Sequence, residues 1–368
     1  MTDAPPIRGA VPGRSGRRFL MAGGGTGGHV IPAIAVAQEL QKRGHSVFFV
    51  GTERGLESRL VPAAGFELRR IEIGGLNRVS FARKMLTLWR LPLVTAGTMR
   101  FADEIDALFS MGGYVAGPPV IAALLRRRPV VVMEPNAIPG FTNRRIARFV
   151  ARALVNFPET VRYFPRGRTE VTGMPVRAEF FEVMPRPRGE TLNLLVTGGS
   201  QGSRTLNRAL QQSWPLFRNR GLRVRIVHQT GTQDFEATRD AFAQSGIEGE
   251  VVTFIRDMPA AFAQADIVIC RSGAGTVSEL AAAGRPSILV PFPFAADDHQ
   301  TRNAEAMAEA GAARMLRDAE MTGDRLVRLI EELSGSLDRM GEAARKVARP
   351  GAAVRAADIL EEVATARL

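Results

Sequence analysis

Two glycine clusters each follow a short apolar run and place backbone amides where an anion could be held. The first is Gly23-Gly24-Gly25-Thr26-Gly27-Gly28 after Phe19 to Ala22; the second is Gly198-Gly199-Ser200-Gln201-Gly202 after Leu192 to Thr197. Successive N–H groups at a strand-to-helix turn cradle phosphate through aligned dipoles, although a tight turn without a ligand would use the same residues. A third stretch, Ser272-Gly273-Ala274-Gly275-Thr276-Val277-Ser278-Glu279, again sets small residues at a helix start. Two such loops in the second half of the chain point to a diphosphate.

The first cluster formally satisfies G-x-G-x-x-G, and Glu53 after the next strand could imitate the ribose-binding acid of a dinucleotide site. Pro32 fits best at the first position of a helix. The spacing therefore predicts a helix from Pro32 to Arg43 and a glycine loop longer than a dinucleotide loop, which disfavours a nicotinamide enzyme. Thr26, Gly27, Gly28 and His29 would project at the carboxyl end of the first strand, where open α/β sheets hold ligands. His29, one of four histidines, could take a proton from a substrate hydroxyl, since an unperturbed imidazole titrates near about 6.5; a solvated or structural loop histidine would look the same. Thr276-x-x-Glu279 has the spacing of a capping box, which the residues alone favour. The carboxylate could instead accept both hydroxyls of a ribose. Asp297-Asp298-His299-Gln300 matches no recognised metal-ligand spacing and reads as a solvated helix start, so no metal is expected.

These loops need a scaffold of parallel strands. Apolar runs at Phe19–Ala22, Val47–Val50, Ala107–Ser110 and Val130–Met133 alternate with helical segments, which is βαβ grammar. The pattern breaks around Gly173-Met174-Pro175 and Pro185 to Gly189, then restarts with Leu192–Thr197, Val224–Val227, Val251–Phe254, Ile267–Cys270 and Ser287–Val290. A length of 368 residues suits two such domains. The expected fold is α/β, two Rossmann-like doubly wound domains facing across a cleft. Residues 1–17 form a loose basic tail, 18–174 an N-terminal domain, 175–350 a C-terminal domain, and 351–368 an amphipathic helix packing back as a strap.

Apolar residues make up 45% and charged residues 23% of the chain, an ordinary globular balance. The formal charge is +12, with three lysines and 46 arginines, an excess that would attract an anionic partner or merely reflect coding preference. Aromatics are only 7% and no basic stripe is interleaved with them, so a nucleic-acid partner is not expected. Cys270 has no disulfide partner and fits a reducing compartment. The first 17 residues lack an apolar signal region, and no apolar run approaches the roughly 20 residues needed to span a bilayer. Between Leu76 and Arg100, Leu86, Leu88, Trp89, Leu91 and Leu93 mix with Arg78, Arg83, Lys84 and Arg90. That composition suits a segment lying on an anionic membrane, or a buried helix with snorkelling arginines.

Taken together, the motifs resemble those of the bacterial N-acetylglucosaminyltransferases that form lipid II, the MurG family. The likeness rests on Gly24 to His29 with Pro32, Met111-Gly112-Gly113-Tyr114, Glu134 with Asn136, Gly140, Thr142-Asn143, Pro175-Val176-Arg177, Gly198 to Gly202, Cys270 to Ala274, Ser278-Glu279 and Asp297 to Gln300. It spans nearly the whole chain. The resemblance implies a GT-B fold and inverting transfer of N-acetylglucosamine from UDP-N-acetylglucosamine to the 4-hydroxyl of undecaprenyl-pyrophosphoryl-N-acetylmuramoyl-pentapeptide, with no cofactor. It puts uracil near Ile255, ribose on Glu279, phosphates at Ser200 with Gln201 and at Ala274, Gly275 and Thr276, and the sugar near Asn136 and Gln300. Arg177 lies at the nucleotide; Thr26, Gly27 and Gly28 meet the acceptor, and His29 is the candidate base. It also implies a peripheral place on the cytoplasmic face of the plasma membrane. Pro135, Met174, Gly275 and Phe294 depart from the family pattern, and Gly275 removes a side chain that would pack its loop. A UDP-N-acetylglucosamine epimerase, of the same architecture but without a lipid acceptor, is the alternative.

Overall fold

The computed structural model describes residues 16–25, 27–53, 55–73, 81–184, 186–199 and 201–366, with the backbone alone for 81–90 and 296. Thr26 and Ser200 lie outside the described residues, as do residues 74–80 and the side chains of 81–90, including Trp89, Arg83 and Lys84. The chain divides into two compact units, Met1–Met133 with Phe141–Ala153 and Ala353–Leu368, and Glu134–Gly140 with Leu154–Ala352.

The first sheet has seven strands: β1 (Arg18–Gly23), β2 (Ser46–Gly51), β3 (Glu67–Arg70), β4 (Ala107–Gly112), β5 (Val130–Glu134), β6 (Arg152–Val155) and β7 (Thr169–Val171), in the order β3-β2-β1-β4-β5-β6-β7. β1 pairs in parallel with both β2 and β4, β2 with β3, and β4 with β5. Helices α1 (Gly27–Lys42), α2 (Glu57–Ala63), α3 (Phe81–Asp103), α4 (Gly117–Leu125) and α5 (Phe141–Ile146) connect them. Because helices cover both faces of a parallel sheet, its central strands are apolar at nearly every position: Phe19, Leu20, Met21, Leu108 and Phe109 are all buried. The strand order reverses between β1 and β4, and the crevice at their carboxyl ends is where such sheets take ligands. There the ladder slips, pairing Ala22 with Ser110 but Gly23 with Gly112.

The second sheet follows α6 (Ala178–Phe181) and repeats the plan with β8 (Leu192–Thr197), β9 (Val224–Gln229), β10 (Glu248–Val252), β11 (Ile267–Cys270), β12 (Ser287–Leu289) and β13 (Ala313–Met315), ordered β10-β9-β8-β11-β12-β13 and parallel throughout. Its helices are α7 (Arg204–Asn219), α8 (Phe235–Ser245), α9 (Met258–Gln264), α10 (Ala274–Ala283), α11 (His299–Glu309), α12 (Gly323–Leu333) and α13 (Leu337–Val347). One side of the sheet packs Leu194, Ile226 and Ile269 against Leu206, Trp214 and Ile330; the other packs Val268 and Leu289 against Val277, Leu280 and Met307. The order reverses between β8 and β11, which places both phosphate-loop candidates at one switch point.

The C-terminal helix α14 (Ala352–Thr365) belongs almost entirely to the first unit. Arg43 bonds Asp358 at 2.7 Å and Glu361 at 3.0 Å, and His45 Nε2 meets Glu361 Oε1 at 2.6 Å.

Two expectations fail. The strand expected at Val251–Phe254 is β10, three residues earlier, and Phe254 is exposed beyond it. In this register Gly249 lies so close to β9 that a Cβ there would come within 1.9 Å of the Ile226 carbonyl, so only glycine fits. The helix expected from Pro32 begins at Gly27, so Pro32 is its sixth residue. Proline there removes one intrahelical bond, to the Gly28 carbonyl; burial of the ring in the core offsets part of that loss. The helix therefore starts among the glycines after all, and Pro32 no longer argues against a dinucleotide loop.

Candidate active site

In the first unit the glycine turn follows β1, and its fixed points lie far away in sequence. Gly25, at φ +88°, donates its N–H to Glu57 Oε2 at 2.8 Å. Its other side faces Tyr114, whose ring would stand 3.5 Å from a Cβ at Gly25. At the end of β4, Gly112 and Gly113 both take φ +79°, a region open to glycine. Asn143 fills the space beside Gly112, and Thr142 Oγ1 donates to the Gly113 carbonyl at 3.1 Å. The His29 ring lies against Gly113, 3.8 Å from where a Cβ would be. His29 is the third residue of α1 and half-buried. The amides of Gly27, Gly28 and His29 belong to the first turn, where N–H groups have no intrahelical acceptor and favour an anion. Glu53 is exposed and pairs with Arg70 at 3.6 Å, an arrangement unlike a buried ribose clamp.

In the second unit the loop after β8 can be built only with glycine. A Cβ at Gly202 would come 1.8 Å from the Thr230 carbonyl, and one at Gly198 would come 2.4 Å from the Gly202 carbonyl carbon. Gln229 holds the loop from beneath, accepting from the Thr197 hydroxyl and donating to the Gly199 carbonyl at 3.0 Å. Ser203 caps α7 and receives Arg271 Nη2 at 2.7 Å. The same guanidinium bonds the Val290 and Pro291 carbonyls and Asp318, so one side chain ties together the loops after β8, β11 and β12. Gln201 is exposed at the loop tip.

The N-cap of α10 is Gly273, in extended conformation, and no side chain caps the helix. The capping box expected from Thr276 and Glu279 is therefore absent: Thr276 is the third helical residue, too far into the helix to act as its cap. The amides of Ala274, Gly275 and Thr276 thus have neither an intrahelical acceptor nor a cap, as a phosphate site requires. Glu279 sits one turn on. The residue keeps a partial opening to solvent although protein crowds its carboxyl, and burial pushes that group up to about 7, with Arg177 opposing the shift. Arg177 is exposed, its guanidinium 4.9 Å from the centre of the Phe180 ring. Gly275 has open space around it, Met174 being the nearest group at 4.0 Å.

Asn136 and Gln300 come together through residues that the motifs did not single out for roles. Buried Glu134 accepts from the Asn136 N–H at 3.0 Å and the Gly140 N–H at 3.1 Å. Asn303, fully buried, donates to Asn136 Oδ1 and to the Ser272 carbonyl, both at 3.2 Å, and accepts from the Ala137 N–H. Ser272 Oγ donates to the Gln300 carbonyl, while Gln300 Oε1 accepts from the Phe292 N–H. Ile255 packs, half-buried, on the core beneath α10. Asp297 and Asp298 are exposed at φ +50° and +52°, and among the described residues no group of acidic, His or Cys side chains could hold a metal ion.

This geometry supplies two amide-rich helix starts, a titratable carboxyl in the second unit and an imidazole in the first. Models of the glycosyltransferase family 28 N-terminal and C-terminal domains match residues 19–155 and 193–363. The chain is 70% identical to the UDP-N-acetylglucosamine--N-acetylmuramyl-(pentapeptide) pyrophosphoryl-undecaprenol N-acetylglucosamine transferase of Solibacter usitatus, over 94% of this chain and 96% of that one. Its fold matches the crystal structure of Acinetobacter baumannii MurG with a TM-score of 0.78 at 36% identity, over 94% of this chain and 99% of that one. The UDP-GlcNAc 2-epimerase of Neisseria meningitidis shares the fold at a TM-score of 0.62 and 13% identity, over 94% of this chain and 98% of that one. The chain belongs to glycosyltransferase family 28 and, within it, to the MurG family of N-acetylglucosaminyltransferases.

Proposed function

We propose that the protein transfers N-acetylglucosamine from UDP-N-acetylglucosamine to the 4-hydroxyl of undecaprenyl-pyrophosphoryl-N-acetylmuramoyl-pentapeptide, with inversion. The observation that carries this reading is the pairing of the uncapped α10 N-terminus with Glu279 one turn further on. The amides of Ala274, Gly275 and Thr276 suit a diphosphate, and the carboxyl beside them suits the two hydroxyls of the adjoining ribose. Ile255 is the uracil neighbour, and Asn136 and Gln300 are the sugar neighbours. Ser200 and Gln201 add to the phosphate side, and Thr26, Gly27 and Gly28 to the acceptor side.

In the reaction a bond forms from the acceptor oxygen to the anomeric carbon as the bond to the diphosphate breaks. Positive charge grows on the sugar and negative charge on UDP. Fixed amide dipoles and Arg177 answer the second change at little reorganisation cost. His29 takes the hydroxyl proton. The epimerase shares only the fold, and fold does not choose between functions. An epimerase would release UDP or free sugar from donor alone, so product analysis without acceptor separates the two.

The acceptor is lipid-linked, and the first unit carries a surface suited to an anionic membrane. Phe141 and Phe149 are exposed, with Arg145 at 5.0 Å and Arg148 at 4.7 Å from their ring centres. Leu93 and Leu125 are also exposed in that unit. Aromatic and aliphatic side chains beside arginines bind anionic lipid surfaces by burial plus charge. No helix among the described residues is long and apolar enough to cross a membrane. We infer that the protein works as a peripheral enzyme on the cytoplasmic face of the plasma membrane, where a nucleotide-activated donor and a lipid-linked acceptor meet. Replacing Phe141 and Phe149 by Ser, with Arg145→Glu and Arg148→Glu, is expected to lower flotation with phosphatidylglycerol vesicles about tenfold or more, at about 1 kcal/mol per basic residue plus the aromatic burial. Unchanged flotation would place membrane contact elsewhere.

A further inference from the structure

Glu57 is the first residue of α2 and is wholly buried. Its Oε1 accepts from the Thr52 N–H at 2.9 Å and the Thr52 hydroxyl at 2.8 Å, and its Oε2 accepts from the Gly25 N–H at 2.8 Å. Burial alone would raise the carboxyl, but these bonds and one from its own N–H outweigh that and hold it below the usual carboxylate range. Among the described residues no arginine, lysine or histidine pairs with it. A buried charge is costly unless its oxygens are fully bonded, and here a fan of donors converges on the anion.

The surrounding backbone is shaped to the carboxylate. A Cβ at Gly24 would lie 2.6 Å from Oε1, one at Gly55 2.0 Å from Oε2, and one at Gly51 2.5 Å from Cγ. Three glycines, one ending β2 and two in the turns after β1 and β2, thus clear the space that Glu57 fills. Gly25, held by this oxygen on one side and flanked by Tyr114 on the other, lies two residues before the first turn of α1. The direction of that turn sets where the amides of Gly27, Gly28 and His29 and the His29 ring point.

We propose that Glu57 is a positioning residue for the acceptor half of the transfer: by bonding Gly25 to the Thr52 turn, it fixes the glycine turn from which α1 and His29 project. This rests on reading Gly27 to His29 as acceptor-side residues. Glutamine is nearly isosteric but has one acceptor oxygen, and its amide must face a second N–H, so either Gly25 or Thr52 loses its partner. Displacements of about 1 Å at a reacting group cost on the order of 100-fold in rate.

The test compares the wild-type protein with Glu57→Gln and Thr52→Val, using radiolabelled UDP-N-acetylglucosamine and a short-chain lipid-pyrophosphoryl-N-acetylmuramoyl-pentapeptide. UDP binding and thermal unfolding are followed in parallel. Glu57→Gln should lower kcat/KM for the acceptor about 10- to 100-fold while the donor KM and UDP affinity stay within about twofold. Thr52→Val removes one of the bonds and should give a smaller loss in the same direction; it decides the matter if Glu57→Gln unfolds. Acceptor kinetics unchanged in a folded variant, or donor and acceptor parameters falling together, would overturn the proposal. Absence of transfer by the wild type would remove the acceptor reading itself, and this proposal with it.

Discussion

Replacing His29 by alanine is expected to lower kcat for transfer by about 100- to 10,000-fold, the usual contribution of a positioned general base, with the donor KM within about twofold of wild type. The other histidines stand elsewhere. His45 bonds Glu361, and His228 is buried against Asn207, its imidazole pushed down to about 4 by desolvation. His299 begins α11 in the second unit. Only His29 stands at a glycine-rich helix start, with its ring against the Gly112-Gly113 turn. If it takes the hydroxyl proton, the acid limb of the wild-type kcat profile should vanish in His29→Ala. A rise confined to the acceptor KM, with kcat intact, would make His29 a binding residue.

The second large effect is a pH dependence of donor binding set by Glu279. Its carboxyl is raised to about 7 in the free protein, first by burial and against the pull of Arg177. Accepting two ribose hydroxyls requires the ionised form. That form predominates at pH 8 and falls to about a tenth of the population at pH 6, so the donor KM should rise about tenfold over that interval. The sign follows from the raised value: acidification removes the binding form, and it does so well above the range where an ordinary glutamate would. Glu279→Gln should have a higher KM at pH 8 and a flat profile between pH 6 and 8. Glu279→Ala, which loses both acceptor bonds, should raise the KM by about 10- to 100-fold at pH 8. A wild-type KM independent of pH in this range would mean that the ribose does not rest on this carboxylate.

Much of the fold was legible because parallel sheets bury both faces, which leaves uninterrupted apolar runs in the sequence. β8 and β11 were read with their ends in place for that reason, and Cys270 is buried as its strand context implied. Proline's preference for a helix N-terminus points to Pro32 as the start of α1, but the tertiary burial that lets Pro32 sit further in has no local signature. The capping box failed in the same way: the Thr276-x-x-Glu279 spacing was right for a cap, but the chain turns into the helix three residues earlier, at Gly273.

The residues that hold the candidate site together left weaker traces. Glu57 reaches Gly25 across 32 residues, Asn303 reaches Asn136 across 167, and Arg271 reaches Asp318 across 47. No local spacing encodes such bonds, because they arise only when separate strand ends are brought side by side. The glycines around Glu57 leave a partial trace: Gly24 stands in the cluster whose amides suggest an anion cradle, while Gly51 and Gly55 belong to no motif.

The most direct test is to incubate the wild-type protein with radiolabelled UDP-N-acetylglucosamine and the short-chain lipid-linked N-acetylmuramoyl-pentapeptide, then follow the label and UDP together. The account predicts that label enters the lipid in step with UDP release and that neither occurs without acceptor. Label that stays water-soluble while UDP or free sugar accumulates from donor alone would contradict it.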